Sequence, residues 1–114
     1  MLTRRQKQVN SLIKKEISEL IEREIELPQS SFVTVTEVKT RSDLNLCQIG
    51  LTIFPLERKE EIFRLVRAKK GLLQSVLHKK LVMKNIPKID FYFDESVGKA
   101  ERVEKLLDSL KEGE

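Results

Sequence analysis

The sequence predicts one α+β domain, in which a three-stranded sheet is covered by helices on one face. Three observations support this fold class. Apolar residues recur at helical spacing in three segments, they alternate with polar residues in two others, and the 114 residues contain no repeat or low-complexity linker. A chain of this length buries somewhat more than about 60% of its unfolded surface, which is enough for a core without disulfides or a metal. The predicted order is α, β, β, α, β, α within a single domain spanning residues 1–114.

The first helix begins at a predicted capping box. Thr3 followed by Gln6 suits such a box, and the apolar residues after it define one helix face that can cover a sheet. The helix is expected to stop before Pro28, and residues 28–31 have the composition of a loop. A coiled-coil partner helix is the alternative use of this face. The face comprises Val9, Leu12, Ile13, Ile17, Leu20, Ile21 and Ile25.

Two strands are predicted next, joined through residues 41–43. The first, Phe32 to Lys39, is rich in Val and Thr, and residues 47–53 alternate between apolar and polar side chains. Cys47 falls on the apolar phase of the second strand. We therefore predict a buried structural thiol there rather than a nucleophile.

A third strand is predicted after Pro87, where Ile89, Phe91 and Phe93 alternate with polar residues. This alternation places the two phenylalanines on the buried side of the strand. Tyr92 points the other way, where it either stacks on a base or closes the rim of the core.

The chain is predicted to end in a short helical extension over residues 97–110. Ser96 can cap this helix, because a serine hydroxyl accepts a hydrogen bond from a backbone N–H of the first turn. Its apolar stripe comprises Ala100, Val103, Leu106, Leu107 and Leu110.

The helix predicted between the second and third strands has a lysine on its apolar face. At 100° per residue, Lys69 falls in the middle of its apolar face, and burying an unpaired ammonium costs several kcal/mol. We therefore predict a break around residues 68–71, tolerated by Gly71. A break exposes backbone N–H groups at the positive end of a helix, flanked by Lys69 and Lys70, which is a phosphate-binding arrangement. The alternative is an unbroken helix with a solvated lysine. The face comprises Ile62, Leu65, Val66, Leu72, Leu73, Val76 and Leu77.

Positive charge is concentrated in the segment that contains this predicted helix break. Residues 62–89 contain eight Lys or Arg and no Asp or Glu, whereas the whole chain has 22 basic and 18 acidic residues. The other 14 basic residues therefore face all 18 acidic ones. A local surface of one sign attracts a polyanion, so nucleic acid is the leading predicted partner. The predicted RNA-binding residues are Arg64, Arg67, Lys69, Lys70, Gly71, Lys79, Lys80, Lys84 and Lys88.

Several function classes lack support in the sequence. One cysteine and one histidine exclude a disulfide framework and a zinc site of Cys/His type, and they favour a reducing, cytoplasmic location. No run approaches the roughly 18 apolar residues of a membrane span. His78 has no partners for a catalytic constellation and is predicted to lie on the basic helix surface. Asp90, Asp94 and Glu95 could bind a metal or act as paired acids, but a solvated strand edge and turn explain them better. We expect no catalysis, metal or cofactor.

Several segments together resemble ribosome-binding factor A. The most specific is Pro87 to Ser96, which is similar to the Pro-x-Leu-x-Phe-x-x-Asp-x-Ser pattern of that family. In the family an interrupted helix carries an Ala-x-Gly kink. The aligned triplet here is Lys69-Lys70-Gly71, so the glycine is shared and the alanine is not. Weaker similarities cover Glu16-Ile17-Ser18, Arg23-Glu24-Ile25, Val33 to Val38 and Ser42-Asp43-Leu44.

This resemblance implies a type II KH-like fold and a role in ribosome assembly. It implies a binding factor, and not an enzyme, that associates with free, immature 30S small ribosomal subunits. It would bind their 16S rRNA and assist its late maturation and processing. A monomer with no membrane partner is expected. The alternative is another KH-type RNA-binding or protein-interaction module that uses the same basic face.

Overall fold

The computed structural model describes residues 2–95, which form three helices and a three-stranded sheet. Helix α1 spans Arg4–Glu24, and strands β1 and β2 span Phe32–Thr40 and Leu46–Phe54. A short 3₁₀ turn, Leu56–Arg58, leads into helix α2. Helices α2 and α3 span Lys59–Ala68 and Lys70–Lys80, and strand β3 spans Lys88–Phe93. The predicted element order is confirmed up to β3, and the helix predicted over residues 97–110 lies outside the described residues.

Helix α1 begins at the predicted capping box. The Gln6 N–H donates to the Thr3 hydroxyl at 3.1 Å, and the Thr3 N–H donates to Gln6 Oε1 at 2.8 Å. The same Gln6 side chain donates through Nε2 to the Thr40 carbonyl at 3.0 Å, so the cap also ties the helix to the end of β1. Asn10 adds a second tie, because its Oδ1 accepts the Thr40 N–H at 3.0 Å.

The sheet has the order β1-β2-β3. β1 pairs with β2 in antiparallel fashion, from Phe32 opposite Phe54 to Thr40 opposite Cys47, with a bulge between Val35 and Glu37. β3 pairs with β2 in parallel fashion, and this pairing starts at Lys88 opposite Leu46. The loops before β2 and before β3 are therefore brought together at one end of the sheet.

The core lies between one face of the sheet and the three helices. Cys47 is fully buried, as predicted, and burial raises the pKa of its thiol. Leu12, placed on the core face by its spacing, is 47% exposed, so that prediction is wrong. Phe91 is buried, but Phe93 is only half-buried, and Lys59 Nζ lies 4.8 Å from the centre of its ring. The core includes Val9, Ile13, Ile17, Leu20, Ile21, Val35, Val38, Ile49, Leu51, Val66, Leu73, Leu77 and Ile89.

Within residues 2–95, no helix is both long enough and apolar enough to cross a membrane.

Candidate nucleic-acid interface

The predicted break between α2 and α3 is present and lies at Lys69. Its backbone has φ −96° and ψ 5°, and its N–H donates to the Val66 carbonyl at 3.0 Å, as in a tighter helical turn. Its own carbonyl then accepts the Leu73 N–H at 2.9 Å, the first hydrogen bond of α3. The Lys69 side chain is exposed, so the break removes the burial of an ammonium that a straight helix would impose.

Gly71 does not absorb the break, which corrects the sequence prediction. It lies in the first turn of α3, and neither glycine within residues 2–95 has a positive φ. Apart from its chain neighbours and the backbone of α3, no atom of residues 2–95 would lie within 4 Å of a Cβ added at Gly71. The backbone angles at Lys69 are accessible to any L-residue, so the break does not need a glycine. What Gly71 leaves is an exposed stretch of backbone without a side chain beside Lys69 and Lys70.

The helix pair contacts the sheet through a narrower stripe than the apolar spacing predicts. Ile62 and Val66 are buried in α2, and Leu73 and Leu77 are buried in α3, each pair being one helical turn apart. Two further leucines of the predicted face, Leu65 and Leu72, are 38% and 41% exposed. Phe63 and Val76 are partly buried against the same core, whereas these two leucines stay exposed.

Most of the predicted basic residues have no acidic partner among residues 2–95. Lys70 Nζ lies 3.6 Å from Asp90 Oδ1, and Lys80 Nζ lies 3.9 Å from Glu16 Oε2. The Lys70–Asp90 pair is exposed on both sides and contributes only about 0–1 kcal/mol, so a phosphate can compete for Lys70, whereas the Oε2 atom of Glu16 beside Lys80 is buried. Across residues 2–95, the other six form no ion pair within 4.0 Å: Arg64, Arg67, Lys69, Lys79, Lys84 and Lys88.

These residues form two groups at the two ends of α3. Arg64 and Arg67 on α2 join Lys69 and Lys70 at the break, and the Arg67 guanidinium lies 5.8 Å from the centre of the Phe63 ring. The second group is at the other end of α3, where Lys79 and Lys80 belong to its last turn and Lys84 and Lys88 follow. An eleven-residue helix is about 16 Å long, so the two groups are separated by about that distance.

The second group borders an open depression of about 600 Å³. We call it the amide pocket, because two asparagines contribute to its walls. One wall is Asn45, just before β2, and the other is the loop between α3 and β3. His78 is exposed and lies at its edge, on the basic helix surface as predicted. The pocket is lined by Asn45, His78, Met83, Lys84, Asn85, Ile86 and Lys88.

Asp94 corrects another expectation. Instead of a solvated turn, it is 95% buried, and its Oδ2 accepts a hydrogen bond from the Thr36 hydroxyl at 2.8 Å. Glu95, in contrast, is exposed and lies 3.6 Å from Lys59 Nζ. The described part of the chain contains no group of three or more His, Cys, Asp or Glu side chains that could hold a metal ion.

Tyr92 packs over Gly50, on the face of β3 opposite the buried Phe91. Its hydroxyl donates to Glu37 Oε2 at 2.7 Å, and its ring lies over Gly50, where an added Cβ would be 2.8 Å from the hydroxyl oxygen. Burial, followed by the hydrogen bond and the charge of Glu37 and the charge of Asp94, raises the pKa of Tyr92. Of the two roles left open for this ring, the contacts fit the structural one.

Two functional candidates, Asn45 and Asn85, have no signal in the sequence. An asparagine in a loop is an ordinary turn residue. The two loops are far apart in the chain and meet only because β3 pairs in parallel with β2. The structural role of Gln74 also has no signal in the sequence. It lies among the apolar residues of α3, and its side chain hydrogen-bonds to the start of β3.

Comparisons with known proteins agree on one family. The family model described as ribosome-binding factor A matches residues 5–107. The curated ribosome-binding factor A of Thermodesulfovibrio yellowstonii is 31% identical over 108 residues, which cover 95% of this chain and 92% of that protein.

Solved structures share the fold. The crystal structure of ribosome-binding factor A from Thermus thermophilus has a TM-score of 0.66 at 18% identity, covering 80% of this chain and 97% of that one. A solution structure of a Thermotoga maritima protein assigned to the same factor has a TM-score of 0.67 at 24% identity, covering 84% and 92%. A Thermus thermophilus homology model, fitted into a cryo-EM map of a 30S complex of the factor, has a TM-score of 0.65 at 21% identity, covering 75% and 91%.

Proposed function

Because the chain belongs to the ribosome-binding factor A family, we propose that it binds the small ribosomal subunit through 16S rRNA. In this proposal it associates with free, immature 30S subunits, assists the late maturation and processing of their RNA, and then leaves as a monomer. The likeness to a structure fitted into a 30S complex supports the choice of partner. The protein acts by binding and not by catalysis.

The contact surface is the basic surface, defined as Arg64, Arg67, Lys69, Lys70, Gly71, Lys79, Lys80, Lys84 and Lys88. The observation that carries the proposal is the exposure of Lys69 at the helix break without an acidic partner among residues 2–95. The Lys69 side chain forms no capping hydrogen bond at the start of α3 within residues 2–95. A phosphate placed there meets two lysines, the positive end of a helix, and a backbone that Gly71 leaves open to close approach.

Binding through phosphates predicts a strong dependence on salt. Each phosphate neutralised by a lysine or arginine releases counterions, and six such contacts lower the affinity by about a thousandfold between 50 and 200 mM salt. Six is the number of basic side chains without an ion pair in the described part of the basic surface.

RNA shape, more than base stacking, supplies specificity in this proposal. Phe91 is buried in the core, and Tyr92 is held by Glu37. Phe32 and Phe54 are exposed, but they lie at the opposite end of the sheet from Lys88. Eight residues of β2 separate Phe54 from the level of Lys88, which is about 26 Å of extended strand. A base stacked on these rings would be far from the basic surface.

The decisive experiment is sedimentation of the full chain with immature and with mature small subunits. We expect co-sedimentation with immature subunits and its loss in a Lys69→Glu/Lys70→Glu variant. The matched control is Lys14→Glu/Lys15→Glu, which makes the same charge change at two exposed positions on α1. If the variant keeps its fold by circular dichroism and still binds as the wild type does, the proposed contact surface is wrong. Equal binding to mature subunits would remove the maturation role.

A further inference from the structure

The amide pocket combines basic, apolar and amide side chains, of which a phosphate alone would require only the basic ones. Lys84 and Lys88 supply positive charge, and Met83 and Ile86 are half-buried and apolar. Neither the Asn45 nor the Asn85 side chain forms a hydrogen bond within residues 2–95. Among the residues that the structure describes, those lining the pocket include no Asp or Glu.

Hydrogen bonds to backbone groups hold both walls of the pocket. The Asn45 N–H donates to Asp43 Oδ1 at 3.0 Å, and its carbonyl accepts the Lys88 N–H at 3.0 Å. On the other wall, Gln74 Nε2 donates to the Pro87 carbonyl at 3.0 Å, and Gln74 Oε1 accepts the Ile89 N–H at 2.8 Å. A site whose walls are fixed before binding loses less conformational freedom when a ligand enters.

We propose that the amide pocket binds one unpaired nucleotide of the RNA and reads the edge of its base. This inference rests on the proposed function and adds a second, base-dependent contact at the end of α3 opposite the helix break. Lys84 and Lys88 hold the phosphates, the apolar side chains support the face of the base, and Asn45 and Asn85 bond to its edge.

The chemistry of each group suits this ligand. A side-chain amide carries two donors and an acceptor, which match the neighbouring donors and acceptors on a base edge. Sequence-specific recognition of RNA takes place mostly at unpaired bases. In an RNA duplex the major groove is too deep and narrow for side chains to read, and the minor groove is recognised mostly by its shape and 2′-hydroxyls. The depression of about 600 Å³ lies within the range of about 300–1,000 Å³ that is typical of small-ligand sites.

The test measures the affinity of the full chain for three probes at one salt concentration. The probes are a single-stranded RNA oligonucleotide of mixed sequence, an RNA duplex with the same number of phosphates, and heparin, a polyanion without bases. The variant is Asn45→Ala/Asn85→Ala, which leaves the charge unchanged. The matched control is Gln29→Ala/Gln48→Ala, which removes two exposed amides elsewhere.

We expect the asparagine variant to lose about tenfold to a hundredfold in affinity for the single strand, as bidentate base contacts typically contribute. Its affinity for the duplex and for heparin should match that of the wild type and of the glutamine control. An unchanged affinity for the single strand, or an equal loss on all three probes, would overturn the inference.

The same assay separates this inference from the proposed function. The Lys69→Glu/Lys70→Glu variant should weaken binding to all three probes. If it does so while the asparagine variant binds like the wild type, the amide pocket is not a base site and the basic surface stands. If neither variant changes any affinity, both proposals fail.

Discussion

Replacing Gly71 with alanine should stabilise the fold and weaken RNA binding. Gly71 lies in the first turn of α3 and has no positive φ, and within residues 2–95 an added Cβ would lie within 4 Å of nothing beyond its chain neighbours and the backbone of α3. A glycine inside a helix costs about 0.5–1 kcal/mol relative to alanine, mainly because it is more flexible in the unfolded chain. With a urea m-value of about 1–3 kcal/mol/M, the unfolding midpoint should therefore rise by roughly 0.2–1 M.

Urea unfolding followed by circular dichroism measures this change, and Gly50→Ala is the matched control. At Gly50 the same methyl group would lie 2.8 Å from the Tyr92 hydroxyl and 3.2 Å from the Thr36 hydroxyl. Tyr92 would have to move, and overpacking of this kind costs about 1–3 kcal/mol. A loss of stability in Gly71→Ala comparable to that in Gly50→Ala would refute the assignment of Gly71 to an ordinary helical turn.

RNA affinity gives the second half of this prediction. If a phosphate approaches the backbone at Gly71, the added methyl group hinders it, and the affinity falls although the protein is more stable. A gain in stability with unchanged RNA affinity would mean that the basic surface binds through its side chains alone.

Three further predictions concern groups away from the basic surface. Tyr92 has a raised pKa, so above its ordinary value of about 10 the unfolded chain loses the proton first, and stability should fall as the pH rises further. Tyr92→Phe should make that fall shallower in urea unfolding at a series of alkaline pH values. Gln6→Ala should cost about 1–3 kcal/mol in urea unfolding, because it leaves the Thr40 carbonyl without its donor, whereas Gln8→Ala should cost little. Cys47 should react with a thiol reagent slowly in the native protein and rapidly in denaturant, and fast native reaction would contradict its burial.

The fold was predictable from the sequence wherever the signal is local. The capping box of α1 depends on two residues three positions apart, and the strands follow from alternation over a few residues. The helix break was also a local inference, because Lys69 cannot stay on a buried face without a partner.

The errors arise where a side chain depends on distant parts of the chain. Asp94 is buried because it meets Thr36, 58 positions away. Leu65 and Leu72 are exposed although Phe63 and Val76 pack partly buried on the core, because the way α2 and α3 lie on the sheet decides which apolar residues are covered. The amide pocket depends on the parallel pairing that places Lys88 beside the start of β2, and no spacing within either loop indicates it.

At the helix break, the residues that stabilise the fold differ from the residue proposed to bind RNA. The buried pairs Ile62 with Val66 and Leu73 with Leu77 fix α2 and α3 on the sheet from either side of Lys69. The Lys69 side chain contributes no buried contact and no ion pair within residues 2–95, so changing it removes little that holds the fold together. In an unbroken helix the same lysine would be buried, and every substitution there would change packing and charge at once. Because of the break, Lys69 can be substituted without removing a core contact. Lys69→Glu therefore tests RNA binding separately from stability.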